Sequence, residues 1–326
     1  MTAVAGFALD SGVRRRAERS GGSLYTRARD ARNNPGNTTT MGLDLPSLPE
    51  RPHDAHKGTF GRVAVVAGSR GMSGAATLAG LGALRGGAGL VYVCVPEGIL
   101  PIVAGFEPSF LTVPLAEDSE GRLTAAACGA IEEKLADMDA AAVGPGWGQS
   151  QEIRELTERL YKESSLPMVV DADALNALAT APAALADHAG PRVVTPHPGE
   201  FAKLTGREIA EIQSNREQSA AEFAAANRVV VLLKGAGTVV TDGRDTFVNS
   251  SGNSGMGTGG TGDVLTGLIA ALLAQGMSAV DAARLGAYLH GLAGDLAAAV
   301  HSEPGLIASD LPRYLGMAWI RTATER

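Results

Sequence analysis

Short apolar segments alternate with amphipathic or alanine-rich segments along most of this chain. The first apolar segment, Arg62–Ala67, shows no polar alternation and predicts a strand that is buried on both faces. Further strands are predicted at 90–95, 140–143, 168–170, 192–195 and 229–233, with helices at 75–85, 124–135, 151–161, 174–178 and 209–226. Such strand–helix alternation is typical of βαβ units. The pattern therefore predicts an α/β fold of three layers, α/β/α, built around a mostly parallel sheet.

The pattern changes after Leu233. Residues 238–241 and 246–248 flank the turn sequence Asp242-Gly243-Arg244 and predict a β-hairpin, which we expect at an antiparallel edge of the sheet. Three helices follow, at 263–275, 279–300 and 309–321. The second is rich in alanine on more than one face, so it is either internal or a contact between subunits. No segment has the character of an interdomain linker, and residues 51–326 are predicted to form a single domain.

Residues 1–50 differ in composition from the rest of the chain. Arg14-Arg15-Arg16, further arginines and a polar run that ends at Thr40 predict a disordered leader. A transit peptide is one alternative, because such peptides are rich in Arg and Ser, but the acidic residues of this segment disfavour it. A start of translation at Met41 is another.

Charge and composition disfavour several classes of protein. The chain has 28 Lys and Arg residues against 35 Asp and Glu residues, a net charge of −7, and only 4% aromatic residues. These values argue against nucleic-acid binding through phosphate contacts or base stacking. No apolar run approaches the roughly 18 residues of a membrane span. Cys94 and Cys128 give neither a metal-ligand spacing nor a disulfide framework, so we expect a reducing, cytoplasmic location.

Candidate chemistry follows the ends of the predicted strands. Five strands run directly into Gly- or Pro-rich segments with polar residues: Gly68–Gly74, Gly144–Gly148, Asp171–Asn176, Thr195–Glu200 and Lys234–Thr238. Taken singly, each is explained by a turn before a helix, and at least one of Asp171 and Asp173 is expected to cap a helix. Because ligands of parallel sheets bind at the carboxyl ends of the strands, the five segments together predict a ligand cleft.

The segment Asn249–Leu268 is rich in glycine and turns at Asp263 into an apolar helical pattern, which favours binding of an anion. Residues 257–262 spell the dinucleotide fingerprint G-x-G-x-x-G, but no strand directly precedes them and no βαβ unit follows. We interpret the segment instead as a phosphoryl-transfer loop. The N–H groups of Gly260 to Gly262 would stabilise the transferring group, and Asp263 would accept a proton. If Asp263 only capped the helix, it would stabilise the helix by only about 1 kcal/mol, and the glycines would be unexplained.

Several motifs together resemble one enzyme family. Residues 260–263, Gly-Thr-Gly-Asp, match the G-x-G-D signature of the ribokinase-like superfamily, whose aspartate is the catalytic base. Within that superfamily the chain looks like ADP-dependent NAD(P)H-hydrate dehydratase. The segments that carry this resemblance are Asn253–Gly267, His56–Arg62, Thr195–Glu200, Val143–Gly148, Asp171–Asn176 and Leu233–Thr238. The resemblance covers about residues 56–300. Many members have Pro-Gly-Met-Ala where this chain has Ser254-Gly255-Met256-Gly257, a difference in loop stiffness that spares the acid.

The resemblance implies a ribokinase-like fold and a repair reaction. The S epimer of hydrated NADH or NADPH is restored at the expense of ADP, which gives AMP and phosphate. It implies catalytic roles for Asp263, Gly262 and Gly260, hydrate binding by Ala75, Gly146, His197 and Asp263, and nucleotide binding by Lys234, Gly235, Ala236, Gly237, Thr238 and Gly262. Mg²⁺ is the implied cofactor. Glu200 stands where related enzymes keep the acid of an N-x-x-E motif that organises magnesium-bound water, although His197 here replaces the Asn.

Other functions remain open from the residues alone. A kinase of the same fold that phosphorylates a vitamin-precursor alcohol with ATP would share the G-x-G-D acid. A nucleotide-binding regulator without catalysis would have no use for Asp263. No residue by itself selects ADP over ATP or one hydrate over the other. Family likeness implies small-molecule substrates and a homo-oligomer, with no nucleic acid or membrane as partner, and the predicted leader is too short for the epimerase domain that is fused to some members.

Overall fold

One sheet forms the centre of the protein within residues 45–324, the part of the chain that the computed structural model describes. Its strands are β1 (Arg62–Val66), β2 (Leu90–Pro96), β3 (Leu111–Leu115), β4 (Ala140–Val143), β5 (Met168–Val170), β6 (Arg192–Val194), β7 (Val230–Leu233), β8 (Val239–Thr241) and β9 (Thr246–Val248). They lie in the order β3-β2-β1-β4-β5-β6-β7-β8-β9. Strands β1 to β7 pair in parallel, whereas β8 pairs antiparallel with both β7 and β9. The predicted parallel sheet with an antiparallel edge hairpin is confirmed.

Helices cover both faces of this sheet. They are α1 (Ser73–Arg85), α2 (Leu100–Phe106), α3 (Ala127–Leu135), α4 (Gln151–Glu163), α5 (Ala172–Leu178), α6 (Pro198–Thr205), α7 (Ile209–Ser214), α8 (Arg216–Asn227), α9 (Thr261–Ala274), α10 (Ala279–His301) and α11 (Leu311–Thr324). Successive residues of β1 point to opposite faces, so Val63 and Val65 pack with α1, α9 and α10, while Ala64 and Val66 pack with α3, α4 and α5. The fold therefore has two apolar cores, one on each side of the sheet.

The alanine-rich helix α10 lies in the first of these cores. Ala282, Ala283, Leu285 and Leu289 are all fully buried there. Of the two interpretations left open by the sequence, the internal one therefore accounts for its composition.

Helices α1 and α9 approach each other unusually closely. A Cβ on Gly267 would lie 1.8 Å from the carbonyl oxygen of Ala79, and a Cβ on Gly82 would lie 2.1 Å from that of Val264. Only glycine fits at both positions. Contacts at the two ends of the pair, Gly260 with Leu78 and Gly86 with Ala271, advance in the same direction along both helices. Helix α9 therefore begins at the same end of the sheet as α1, beside the carboxyl ends of the parallel strands.

Three elements were missed by the sequence pattern. Strand β3 contains Pro114 and lies at the edge of the sheet, where a residue without an N–H is tolerated. Helix α2 precedes it, and α6 begins at Pro198, inside the strand-end segment Thr195–Glu200, after which the pattern predicts no helix before residue 209. The predicted helix at 209–226 is divided into α7 and α8 at Asn215, whose φ of −142° is not helical.

The packed part of the chain begins before residue 51. Residues 45–50 have no helix or strand, but Leu45 and Leu48 pack against the core that contains α1 and α9. The rest of the predicted leader, residues 1–44, lies outside the described residues.

Candidate active site

Asp263 lies in the first turn of α9, directly after the glycine-rich loop, which we define as residues 249–260. Gly260 precedes the helix with φ +94°, a left-handed conformation that suits glycine and sets the angle of entry. The hydroxyl of Thr261 donates to the carbonyl oxygens of Met256 (3.0 Å) and Thr258 (3.1 Å) and closes the end of the loop. Because first-turn N–H groups have no partner within a helix, those of Thr261, Gly262 and Asp263 are available to an anion.

Lys234 supplies a positive charge beside this helix start. Its Nζ donates to Oδ1 of Asp171 at 2.8 Å and lies 3.9 Å from Oε2 of Glu200. Oδ2 of Asp171 accepts a 2.7 Å hydrogen bond from the hydroxyl of Thr266, which is one turn beyond Asp263 on α9. A Cβ on Gly262 would lie 3.2 Å from the lysine ammonium. The start of α9 and the end of β7 therefore meet at the lysine.

The charges of this cluster shift the pKa values of its members. Burial raises the pKa of Asp263 to about 7, and the nearby Asp171 carboxylate adds to the shift, while Lys234 opposes it. Burial lowers the pKa of Lys234, but the carboxylates of Asp171 and Glu200 outweigh burial, so that its pKa is raised overall. Burial also raises the pKa of Glu200, against the pull of Lys234. A carboxyl group that titrates near neutrality beside a permanent cation is suited to accept a proton.

Direct hydrogen bonds link the loops that follow the parallel strands. The N–H of Gly68 donates to the carbonyl of Pro145 (2.7 Å), and that of Gly148 donates to Oδ2 of Asp173 (2.8 Å). The N–H of Lys234 donates to the carbonyl of Pro196 (2.8 Å). All five strand-end segments thus meet at one end of the sheet, as the sequence predicts.

The expectation that Asp171 or Asp173 caps a helix is wrong. Asp171 precedes α5, but its carboxylate makes no capping hydrogen bond and instead binds Lys234 and Thr266. Asp173 accepts from Gly148 and from the side-chain amide of Gln149 (3.0 Å). Both carboxylates therefore bind partners that are distant in the sequence. Between them, Ala172 has φ +51°, an uncommon conformation for a residue other than glycine.

His197 and Glu200 form a reciprocal cap on helix α6. Nδ1 of His197 accepts from the N–H groups of Gly199 (3.0 Å) and Glu200 (3.2 Å), and Oε2 of Glu200 accepts from the N–H of His197 (2.8 Å). The carboxylate of Glu200 is buried, whereas the imidazole is more than half exposed. His197 therefore has a structural role through Nδ1, and its Nε2 lies 3.4 Å from Oε1 of the same Glu200 carboxylate.

The predicted hydrate-binding residues Ala75 and Gly146 are neighbours. Gly146 has φ +67°, and a Cβ there would lie 2.9 Å from Cβ of Ala75 and 3.0 Å from Cβ of Met72. Ala75 lies in the first turn of α1. Small residues at both positions therefore let the loop after β4 pack closely against the start of α1.

The predicted nucleotide-binding loop divides into two parts. The side chain of Lys234 is turned toward Asp171, whereas Gly235 to Gly237 are exposed. Arg216, which the sequence did not single out, supports this loop from α8. Its guanidinium donates to the carbonyls of Leu233 (2.9 Å), Lys234 (3.3 Å) and Gly237 (3.4 Å). Thr266 was missed as well, because a threonine inside an apolar helix gives no pattern of its own.

Comparison with known proteins identifies the family. A family model described as NAD(P)H-hydrate dehydratase matches residues 63–316. The chain belongs to the NAD(P)H-hydrate dehydratase family. The resemblance recognised in the sequence is thereby confirmed, and the fold is of the predicted ribokinase-like type.

Relatives of two lengths occur within the NAD(P)H-hydrate dehydratase family. The ADP-dependent (S)-NAD(P)H-hydrate dehydratase of Bacillus subtilis is 36% identical over 277 residues, 84% of this chain and 95% of the relative. The bifunctional NAD(P)H-hydrate repair enzyme of Moorella thermoacetica is 46% identical over 270 residues, 82% of this chain but 51% of the relative. The chain therefore spans about half the length of the bifunctional relatives it matches.

A solved structure from the NAD(P)H-hydrate dehydratase family has the same architecture. The crystal structure of the ADP/ATP-dependent NAD(P)H-hydrate dehydratase from Bacillus subtilis, co-crystallised with ATP and Mg²⁺, matches with a TM-score of 0.72 and 32% identity. The match covers 86% of this chain and 99% of that one.

Proposed function

We propose that this protein is an ADP-dependent (S)-NAD(P)H-hydrate dehydratase. It converts the S epimer of hydrated NADH or NADPH to NAD(P)H, with ADP giving AMP and phosphate. The observation that carries the proposal is the position of Asp263. This carboxyl group, with a pKa of about 7, stands at the N-terminus of α9, beside free N–H groups and next to Lys234. Membership of the family supports the choice of substrate.

The proposed first step is phosphoryl transfer to the ring hydroxyl of the hydrate. Asp263 takes the hydroxyl proton, the oxygen attacks the terminal phosphorus of ADP, and AMP leaves. Charge on the transferring group is stabilised by the N–H groups that end at Gly262 and by the ammonium of Lys234. Phosphoryl transfer requires little beyond such positioning and electrostatic stabilisation.

The second step is elimination. Phosphorylation converts a poor leaving group into phosphate, which the lone pair of the ring nitrogen expels. Loss of a proton from the adjacent ring carbon then completes the double bond of NAD(P)H. Because the hydroxyl oxygen departs with the phosphate, the overall reaction consumes one ADP for each molecule of water removed.

In this proposal the two substrates occupy different loops. The hydrate lies between Ala75, Gly146 and His197, with its hydroxyl at Asp263. The nucleotide lies against Gly235, Ala236, Gly237 and Thr238, with its terminal phosphate between Lys234 and Gly262. The close approach of Lys234 to Gly262 supports this arrangement, because it brings the nucleotide loop to the start of α9, where Asp263 lies.

The residues present do not form a direct magnesium site. Within residues 45–324, no group of three His, Cys, Asp or Glu residues has the arrangement of a metal site. The carboxylate of Glu200 is engaged by the N–H of His197, and that of Asp171 by Lys234 and Thr266. Mg²⁺ commonly keeps its water and is held by substrate phosphates. We therefore assign no step to a protein-bound ion, and a role of Glu200 toward magnesium-bound water stays a prediction.

Recovery of reduced nicotinamide from its hydrate tests the proposed function directly. Purified (S)-NADH hydrate is incubated with ADP, with ATP and without nucleotide, and the absorbance of reduced nicotinamide is followed. We expect recovery with ADP together with stoichiometric AMP and phosphate, and none without nucleotide. A phosphorylated hydrate that accumulates without NADH would identify a kinase instead. Absence of any product with either nucleotide would remove the proposed function.

Two further parts of the proposal concern the setting of the enzyme. No helix among the described residues is long and apolar enough to cross a membrane. Cys94 and Cys128 are both buried and free, which suits the proposed reducing, cytoplasmic location. We also propose a homo-oligomer on family likeness, and light scattering coupled to size-exclusion chromatography would decide it.

A further inference from the structure

Helix α10 holds the start of the glycine-rich loop through Asp295. Its Oδ2 accepts from the N–H of Gly252 (2.9 Å), and its Oδ1 accepts from the side-chain amide of Asn253 (2.9 Å). The other end of that amide, Oδ1 of Asn253, accepts from the N–H of Gly255 (3.0 Å). One carboxylate of α10 therefore holds Gly252 and Asn253, and through Asn253 also Gly255.

The same helix holds the end of the loop through His290. Nε2 of His290 lies 2.9 Å from the carbonyl oxygen of Thr261, the first residue of α9 and two residues before Asp263. Because Nε2 faces an acceptor, it must carry the hydrogen in this contact. Burial lowers the pKa of His290 to about 4, so the imidazole is neutral at the pH of the reaction.

Between these two contacts the loop lies directly on the surface of α10. A Cβ on Gly291 would lie 2.2 Å from the hydroxyl of Ser251, and a Cβ on Gly294 would lie 2.3 Å from the sulfur of Met256. The hydroxyl of Ser251 also donates to the carbonyl of Tyr288 (2.9 Å). Gly291 and Gly294 thus allow the close contact between the loop and α10, and the hydrogen bonds of His290 and Asp295 depend on this contact.

We propose that His290 is a positioning residue for the phosphoryl-transfer step, and that Asp295 acts on the same loop from its other end. This inference rests on the proposed function of the site and extends it. His290 sets the direction of the Thr261 carbonyl, hence the plane of the Thr261–Gly262 peptide and the direction of the Gly262 N–H. Asp263 follows immediately, so an error in this peptide moves both the donor to the phosphoryl group and the base.

The contact with His290 orients the Thr261 carbonyl, because this carbonyl does not need the imidazole as its hydrogen-bond donor. As the first residue of α9, Thr261 has its carbonyl available to the N–H four residues later, in the ordinary helical pattern. A second donor on the same oxygen restrains its direction. Donors in a catalytic site must be held within about 0.5 Å of the productive geometry, and a displacement of ~1 Å costs on the order of 100-fold in rate.

The test compares two substitutions that keep a planar group at the end of the side chain. His290→Phe removes the donor, whereas His290→Gln places an amide N–H near the position of Nε2. For His290→Phe we expect kcat to fall by up to about 100-fold, with little change in the affinity for ADP measured by calorimetry. His290→Gln should recover much of the lost kcat. His188→Gln is the matched control, because His188 also contacts two backbone carbonyls (Gly190 and Asn227), but away from the site.

The two anchors are tested together in a double-mutant cycle. Asp295→Asn keeps one acceptor and loses the other, and Asp281→Asn on the same helix is its control. If both anchors hold one loop, the loss of kcat in His290→Phe/Asp295→Asn will be smaller than the product of the two single losses. Strict multiplicativity, or an equal loss in His290→Phe and His290→Gln, would overturn the inference. An inactive wild-type enzyme would count against the proposed function instead. Hydrogen exchange of the Gly262 amide would then test the positioning role: it should be faster in His290→Phe than in His290→Gln, and equal rates would overturn the inference.

Discussion

Lys234 and Asp171 form an ion pair of 2.8 Å that lies beneath the first turn of α9, and the second oxygen of this carboxylate is bound by Thr266 of the same helix. Asp171 is almost fully buried, whereas Lys234 keeps about a fifth of its side chain exposed. The pair therefore ties the ends of β5 and β7 to α9. This relationship connects the predicted nucleotide loop with the predicted base.

Asp263→Asn should abolish most turnover while the nucleotide still binds. The amide cannot accept the proton of the hydroxyl, and loss of a general base costs ~10²- to 10⁴-fold in rate, or at least about 3 kcal/mol. Single-turnover rates and ADP affinity, measured on the same preparation, separate the two effects. If turnover in the variant equals that of the wild type, Asp263 is not the base.

The rate should rise with pH through about 7. Burial and the Asp171 carboxylate raise the pKa of Asp263 to about 7, so the fraction of the group that can accept a proton increases over this range. We expect kcat/KM for the hydrate to be low at pH 5.5 and to level off above pH 8 in saturating ADP. A profile that is flat across this range would contradict the assignment.

The same carboxyl group should make the folded state less stable at high pH. Its ordinary pKa is 3.8 and its folded-state pKa is about 7, so between these values the folded protein retains a proton that the unfolded chain has released. The free energy of unfolding that this group contributes is therefore fully present below pH 4 and is lost as the pH rises through 7. Asp263→Asn removes the effect, and its gain in Tm over the wild type should be larger at pH 8 than at pH 5. An equal gain at both values would show that the pKa is not raised. Asp281→Asn serves as the control.

Removal of Lys234 should cost both stability and activity. Lys234→Met leaves the buried carboxylate of Asp171 without its cation, and breaking a buried pair in this way costs roughly 3 kcal/mol. Lys203→Met is the matched control, because Lys203 is exposed and its Nζ donates only to the neutral amide of Asn176 (2.7 Å). Chemical denaturation of both variants measures the difference. Equal stabilities would mean that Asp171 does not depend on Lys234.

Gly146→Ala should weaken binding of the hydrate. Its Cβ would lie 2.9 Å from that of Ala75, so the loop after β4 would have to move away from the start of α1. Gly206 has nearly the same φ, +68° against +67°, but no atom lies within 4 Å of a Cβ there. Gly206→Ala therefore reports the backbone strain alone, on the order of 1–2 kcal/mol. We expect KM for the hydrate to rise in Gly146→Ala only, with ADP affinity unchanged. A similar KM in the two variants would remove Gly146 from the pocket.

The regular part of the fold was predictable because it follows from local pattern. Buried runs such as Ala140–Val143 and Met168–Val170 were predicted with their observed bounds, since a strand covered on both faces must be continuously apolar. Strand β3 is not predicted by the sequence, because Pro114 is tolerated only in an edge strand. Whether a strand lies at an edge depends on the whole sheet. Helix α6 is not predicted either, because a proline such as Pro198 occurs both at the first residue of a helix and in loops.

By itself the sequence determined the parallel sheet, the strand-end loops and the acid that follows the glycines, because each depends on residues close together in the chain. Only the tertiary structure decided the partners of that acid. Asp171 is 63 residues from Lys234 and 95 from Thr266, and His290 is 29 from Thr261. Their contacts depend on strand order and on the close packing of α1, α9 and α10. The burial that raises the pKa of Asp263, and the Asp171 carboxylate that adds to the shift, therefore depend on groups that no local pattern brings together.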